Sequence, residues 1–513
     1  MKFPYGISDF HKLITEDYFY VDRTAYIRTV EEVGPVLLFL RPRRFGKSLW
    51  LSTLENYYDV AKADEFESLF GQLAIGQEPT PWHNQYLIMR WNFSAVDPSG
   101  DYDQIRQSLF NHVNGCVEQF IAQYQGGLEH EIVLGEDALR SFRSVLTAVQ
   151  RSPYRLYLLI DEYDNFANEV LTADTARYES LVRGAGVLKT LFKAAKEGTG
   201  GLGLDRIFIT GVTPVVMSDI TSGFNIAEDL FLKPALNTLC GFTEAEVRTV
   251  LQQVAEECDL HSKQAAAALE MLRTFYNGYR FSYQASELVY NPTLVLYFLK
   301  QFQETCAYPE EMLDSNLEMD RHELEYVAQL PHGGQLIMAA LSASPALSVR
   351  QLSQRFGVQR MLFAKKDTSF AVALLYYLGV LTLAGRTKSG RHALRIPNLV
   401  VRRLYAEQLR ELLLPDVTRD EIETVAEGLY TTGDLQPLCD FVEQTYFRVF
   451  SNRDYRWANE LTVKTAFLSL LFNDILYIMD SEPELQRGYA DLVMLIRPDM
   501  RRFEVLDLLL EFK

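Results

Sequence analysis

An α/β fold built on a parallel sheet with helices on both faces is predicted by three observations. Short, continuous apolar runs occur at Val36–Leu40, Tyr86–Trp91, Leu156–Ile160 and Arg206–Thr210. Helix-like stretches separate them, Tyr102–Tyr124 and Ala138–Gln150 among them. The runs do not alternate apolar with polar residues, the pattern of strands covered on both faces rather than half-exposed. A doubly wound parallel sheet over residues 1–235 follows.

The first run leads into Arg41-Pro42-Arg43-Arg44-Phe45-Gly46-Lys47-Ser48 and then the helix-like Lys47–Tyr58. A strand-to-helix turn binds phosphate through backbone N–H groups and the positive end of the helix, with a lysine on the β and γ phosphates and a hydroxyl on Mg²⁺. Gly46, Lys47 and Ser48 stand where those roles need them, and Arg43, Arg44, Phe45 and Leu49 complete the candidate ATP cradle. One residue departs from the general pattern: its first glycine is Arg41 here. The loop must therefore turn differently, with Pro42 as a candidate for fixing its entry. A basic turn opening an ordinary helix is the bland alternative.

A second motif weighs against that alternative. The run Leu156–Ile160 ends in Asp161-Glu162, two carboxylates at the C-terminal end of a strand, the edge where open α/β sheets bind ligands. Asp161 would hold the magnesium shell and Glu162 would activate or orient the attacking water. Thr210 closes another apolar run just before Gly211 and is a weaker candidate, facing the γ-phosphate.

From Thr243 the pattern is mainly helical, with Glu244–Glu257, Lys263–Tyr276 and Thr293–Phe302 reading as a lid. Between 333 and 400, helical stretches precede Val380–Leu383, the turn Lys388-Ser389-Gly390 and Ala393–Ile396. That order resembles a winged helix, read as a packing unit or lid in preference to a DNA reader. The lid and winged-helix-like region is assigned to 236–400 and a C-terminal α/β domain to 401–513.

The last third holds a helix around Arg456–Phe472 and two strand-like runs, Ala490–Ile496 and Phe503–Lys513. Alternation sends Leu506, Leu508, Leu510 and Phe512 to one face and Asp507, Leu509, Glu511 and Lys513 to the other. Asp491, one hairpin earlier, could meet Glu511 at a shared metal, with Glu460 as a further ligand and Lys513 positioning water. Exposed charges on an edge strand are the bland reading, and on these residues alone it is the stronger one.

Composition narrows the partners. The chain has 513 residues, 48% hydrophobic, with a formal net charge of −18. That charge argues against nucleic-acid binding by the whole surface and leaves room for a local basic groove. No run approaches the roughly 18 to 20 apolar residues of a membrane span, and the N-terminus lacks a signal-peptide core, so a cytoplasmic protein is expected. Cys116, Cys240, Cys258, Cys306 and Cys439 form no close pair in sequence and read as thiols rather than as a zinc site or disulfide frame.

Taken together, Pro4–Phe10, Tyr20–Thr24, Arg41–Leu49, Ile160–Asp164, Thr210–Pro214 and Tyr276–Phe281 resemble the bacterial AAA-ATPase-like family whose members commonly carry a C-terminal PD-(D/E)XK nuclease-like domain. The resemblance implies a Mg-ATP site at Lys47, Ser48, Asp161 and Glu162, with Thr210 in the sensor position. An arginine in place of the first loop glycine is usual in that family. It also implies Asp491, Glu511 and Lys513 as the Asp, Glu and Lys of the nuclease signature, with Mg²⁺ or Mn²⁺ as the metal. Such a nuclease fold normally continues past this strand, so the domain is expected to be incomplete or degenerate. The combined expectation is an ATP-binding, hydrolysing switch on a nuclease-like domain that meets DNA or RNA. The alternative is a regulatory or scaffold ATPase whose module only binds a partner. Oligomeric state is left open.

Overall fold

The computed structural model describes residues 1–221, 223–313, 324–325, 327–328, 333–342, 347–352, 357, 369–413, 418–446, 460–481, 484–485 and 488–512. They fall into two compact units, one built on Met1–Phe242 and the other on Thr243–Leu352 with Lys365–Lys513.

In the first unit five strands make one sheet: β1 (Val36–Leu40), β2 (Tyr86–Asn92), β3 (Arg155–Asp161), β4 (Leu204–Gly211) and β5 (Glu228–Asp229). Their order is β2-β3-β4-β1-β5 and every pairing is parallel. Parallel neighbours need crossover connections, which put helices over the faces and explain why the strands read as unbroken apolar runs.

Both faces are covered, as a doubly wound sheet requires. On one face Tyr86 and Tyr157 pack on Tyr58 of the helix Lys47–Tyr58, with ring centroids 5.7 and 5.1 Å apart. On the other, Trp91 packs edge-on against Phe142 of the helix Ala138–Gln150 at 5.1 Å. Strand alternation then places Arg90 and Asp161 on the same face as Tyr86 and Tyr157. β4 lies between β1 and β3, so Thr210 ends beside both the strand that feeds the loop and the strand that carries Asp161.

The second unit opens with the helices Glu244–Glu257, Ser262–Tyr276 and Pro292–Thr305. The first is started by a capping box in which Thr243 and Glu246 satisfy each other's backbone N–H groups. Cys258 and Cys306, 48 residues apart, stand at the C-terminal ends of the first and third helices and form a disulfide. This corrects the expectation of thiols for that pair. Their sequence distance concealed two helix ends that lie side by side. Cys116, Cys240 and Cys439 are thiols.

Further along, β6 (Leu347–Val349), β7 (Thr382–Arg386) and β8 (His392–Arg395) form an antiparallel sheet in the order β6-β8-β7. The helices Gly333–Ser342 and Ser369–Tyr377 precede β6 and β7 respectively.

The C-terminal part contains β9 (Tyr477–Ser481), the short pair β10 (Glu484–Leu485) and β11 (Gly488–Tyr489), β12 (Leu492–Ile496) and β13 (Leu508–Leu510). β13, β12 and β9 are antiparallel in that order, and Leu492, Met494 and Ile496 join a core with the helices Arg419–Thr432 and Glu460–Leu471. A strand over the whole of Phe503–Lys513 is not what forms. Phe503 N–H donates to Met500 O at 3.0 Å and Leu506 N–H to Tyr430 O at 2.8 Å, so pairing with β12 begins only at Leu508. Leu506 is accordingly 41% exposed instead of sharing the core face of Leu508 and Leu510.

Gly211, the last residue of β4, lies where a Cβ would overlap the Tyr163 ring and crowd a carboxylate oxygen of Asp164. Gly211→Ala is expected to cost about 1–3 kcal/mol and lower the thermal midpoint of the first unit by several degrees. Scanning fluorimetry checks this; an unchanged midpoint would show that the ring and carboxylate yield freely.

Candidate functional site

The loop after β1 turns through two left-handed residues, Arg44 at φ 65° and Gly46 at φ 92°. Position 41, where the general pattern has its first glycine, does something else. Arg41 is 1% exposed, and its guanidinium donates to Leu40 O (2.9 Å), Phe231 O (3.0 Å) and Leu236 O (2.8 Å). It also lies 4.5 Å over the Phe39 ring. A buried guanidinium needs such acceptors, and here they tie the start of the loop to the segment that follows β5.

Lys47 begins the helix and is almost fully buried, with Nζ donating to Arg41 O at 3.0 Å and Pro42 O at 2.9 Å. Burial lowers its pKa, while Asp161, Glu162 and Asp164 pull it back up. The ammonium therefore sits in the field of three carboxylates delivered by the end of β3. Ser48 is half-buried in the first helical turn. Phe45 is 1% exposed, so its ring anchors the loop and only its backbone is available to a ligand. Arg43 donates to Asn165 Oδ1 at 3.2 Å, a second tie between this loop and the segment after β3.

Asp161 is 1% exposed and fully engaged. Thr210 Oγ1 donates to its Oδ1 at 2.6 Å and the Glu162 N–H to the same oxygen at 3.1 Å. Arg90 of β2 lies 3.4 Å from its Oδ2 and 3.2 Å from Glu55 of the Lys47–Tyr58 helix. Arg90 had no role in the sequence reading. The available signal was a lone charge inside the apolar run Tyr86–Trp91, but pairing it with Asp161 requires the β2–β3 register.

Glu162 follows at φ 48°, a left-handed conformation that costs a side-chain-bearing residue on the order of 1 kcal/mol. Burial raises its pKa above the ordinary carboxylate range, with Lys47 opposing.

The next two residues join the loops after β3 and β4. Asp164 accepts from Val212 N–H (3.1 Å), Thr213 N–H (2.7 Å) and Thr213 Oγ1 (3.0 Å), and Tyr163 OH donates to Thr213 O at 2.6 Å. Both lie in motifs visible in the sequence, yet their partners are some 50 residues away.

This donor set suits Mg-ATP. A helix N-terminus faces the loop, a lysine is held by carbonyls that phosphate oxygens can replace, and one hydroxyl with one carboxylate suits an ion that retains waters and takes its other ligands from phosphates.

In the C-terminal part, the pairing Leu492–Leu510 sets Asp491 and Glu511 at adjacent register positions. Asp491 Oδ2 accepts the Phe512 N–H at 2.8 Å, and Oδ1 lies 3.5 Å from Nζ of Lys464, whose side chain is 3% exposed. Lys464 was missed in sequence, although it is a lone cation in the apolar helix Glu460–Leu471. Glu460 opens that helix; its side chain, and Lys513 altogether, lie outside the described residues. Among the described residues no three His, Cys, Asp or Glu side chains converge as a metal site.

Residues 4–221 match the AAA-ATPase-like family model, described as predicted AAA-ATPase. The chain is 26% identical over 421 residues to an uncharacterised protein in the vnfD 5′ region of Azotobacter chroococcum mcd 1, a match covering 81% of this chain and 71% of that one. Among solved structures it is similar to the Walker-type ATPase PABY2304 of Pyrococcus abyssi, at 15% identity and a TM-score of 0.44, covering 75% of this chain and 94% of that one. It is also similar to the Aeropyrum pernix ORC1 protein, solved in complex with DNA, at 12% identity and a TM-score of 0.27, covering 76% and 93%. The class that the structure defines is an α/β fold on a five-stranded parallel sheet. Over residues 4–221 the sequence is similar to the AAA-ATPase-like family. No helix among the described residues is long and apolar enough to cross a membrane.

The raised pKa of Glu162 couples folding to pH. Below the ordinary carboxylate range both folded and unfolded chains carry it protonated, and it costs nothing. As pH climbs through the raised folded value, ionisation opposes folding. Glu162→Gln should therefore match wild type at about pH 4 and become the more stable protein toward about pH 8, as read from thermal melts. A difference independent of pH would remove the electrostatic cause.

Proposed function

We propose that this chain binds Mg-ATP at the edge where β1, β4 and β3 end, and hydrolyses it. The observation that carries this reading is the placement of Lys47 in the field of Asp161, Glu162 and Asp164, at the N-terminus of the helix following β1. The loop N–H groups and Lys47 receive phosphate oxygens, with Lys47 exchanging the carbonyls of Arg41 and Pro42 for them. Ser48 and Asp161 would hold Mg²⁺, which supplies neutralisation of phosphate charge. Thr210 keeps Asp161 in position from the neighbouring strand, and Glu162, whose pKa burial raises, accepts the proton of the attacking water.

Lys47→Ala is expected to abolish measurable Mg-ATP binding in titration calorimetry, because the phosphates lose their principal side-chain cation. Equal binding by the variant would remove the site. Glu162→Gln should retain binding and slow hydrolysis by on the order of 10²-fold; an unchanged rate would dismiss Glu162 as the base.

The finer reading is a switch. The helices from Thr243 act as a lid, the region around β6–β8 is winged-helix-like, and nucleotide occupancy biases a nuclease-like domain after residue 400. The adjacent register of Asp491 and Glu511 supports the last part. Plasmid, single-stranded DNA and RNA should be cut with Mg²⁺ or Mn²⁺ at a rate that ATP alters and that Asp491→Ala, Glu511→Ala and Lys513→Ala abolish. A folded, ATP-binding protein that cuts none of them would transfer the domain to the alternative, a scaffold or regulatory ATPase that holds a partner there.

A further inference from the structure

The motif Tyr276–Phe281 takes no part in the ATP site described above, yet the second unit is built to hold it. Gly278, at φ +108°, lies so close to the carbonyl of Pro397 that a Cβ would overlap it. Asn398 Nδ2 donates to Asn277 O at 2.9 Å and Tyr376 OH to Phe281 O at 2.9 Å. Arg280 N–H donates to Thr382 Oγ1 at 2.7 Å, and Thr382 is the cross-strand partner of Arg395. The result is a backbone clamped onto the β7–β8 hairpin with Arg280 delivered beside Arg395.

Arg402, in the first turn of the helix Leu399–Leu413, completes a cationic group. A cation there also faces the positive end of that helix, an arrangement unfavourable without an anion. Nε of Arg280 and Nη1 of Arg402 are shut off from solvent with no hydrogen-bond partner among the described residues. Burial, followed by Arg280, lowers the pKa of Arg395; burial also lowers that of Arg402, which Asp480 partly offsets and Arg395 lowers further.

The charge extends outward along the hairpin. Arg386, Lys388 and Arg391 are exposed, Arg391 donating to Ser348 O at 2.8 Å. Tyr283, two residues past the clamped motif, is 39% exposed and lies 5.5 Å beneath the Arg386 guanidinium. In a chain of net charge −18, the segment 368–406 carries six Lys and Arg and no Asp or Glu, and of the six Arg403 is paired with Glu407 and Asp474. A single phosphate could not span this run. A strand that repeats phosphates and offers bases to an aromatic ring could.

From the clamp, the buried guanidinium N–H groups and the cationic hairpin, we infer that Arg280, Tyr283, Arg386, Lys388, Arg395 and Arg402 form a binding surface for the phosphodiester backbone of a nucleic acid. This surface is separate from the ATP site and from the Asp491–Glu511 strand pair.

Fluorescence anisotropy of the full chain with labelled single-stranded DNA, duplex DNA and RNA, without nucleotide, tests it between about 50 and about 200 mM salt. At least one of these nucleic acids should bind, and affinity should fall steeply with salt. Arg280→Gln/Arg395→Gln should weaken binding about tenfold or more and make the slope of log K against log salt shallower by about two. Arg386→Gln/Lys388→Gln, on the exposed hairpin, should make the slope shallower as well and serves if the first pair fails to fold. Lys47→Ala should bind as wild type does, which separates this surface from the ATP reading. Inorganic phosphate at matched ionic strength should compete poorly; full competition would assign the cluster to a small anion instead. Absence of binding at about 50 mM salt by folded protein, or an unchanged slope in both double variants, would overturn the inference.

Discussion

Burial of charge at the C-terminal edge of the parallel sheet constrains everything around it. Arg41, Lys47, Asp161 and Asp164 are each at most 6% exposed. An ion removed from water must be met by hydrogen bonds or an opposite charge, and a missing partner costs several kcal/mol. The local structure satisfies that demand. Arg41 is met by three carbonyls, Lys47 by two, Asp161 by a hydroxyl, an N–H and Arg90, and Asp164 by the backbone of Val212 and Thr213. These partners come from β2, the loop after β1, the end of β4 and the segment past β5, so the charges act as rivets between elements distant in sequence.

Two kinds of partner can be told apart. Those of Arg41 and Asp164 are internal and close loops against one another. Those of Lys47 and Asp161 are more readily exchanged, because a phosphate oxygen can replace a carbonyl at Lys47, and a cation can take the place of Arg90 at a carboxylate still held by Thr210. Arg90 is bound to Glu55 as well, so it keeps a carboxylate when Asp161 turns to another charge. Glu162 differs from all of these, being half-buried, left-handed and raised in pKa. Backbone strain combined with a disfavoured charge destabilises the fold locally, and such costs concentrate where chemistry needs an ionisable group near neutrality.

The large strands and the loop residues were legible because they rest on local pattern. Continuous apolar runs mark β1 to β4, and Gly46-Lys47-Ser48 sits between a strand and a helix in the sequence itself. What escaped depends on pairing. Thr210 meets Asp161 only because β4 is inserted between β1 and β3, and Arg90 meets it only through the β2–β3 register. Neither strand order nor register is written in a single strand's composition. The C-terminal error is of the same type: Phe503–Asp507 alternates as a strand would, but Leu506 N–H finds Tyr430 O before it can join the β12 ladder. Cys258 and Cys306 were separated by two helices in the reading, and those helices are what bring them together.

The buried cations of the two units are met in different ways. In the first unit each buried cation faces carbonyls or carboxylates of its own unit. Around β7 and β8 the surroundings are instead other cations, with Asp480 the carboxylate that moderates Arg402. Bringing guanidinium groups together in a partly desolvated place raises the energy of the free protein, and a sequence with 68 Asp and Glu had abundant means to neutralise them. The segment 368–406 contains none of those acids; Glu407 and Asp474, from outside it, pair with Arg403. The clamp on Asn277 and Gly278 holds Arg280 toward Arg395 against that repulsion, so the positive charge is fixed in place by the fold, where it cannot disperse into solvent.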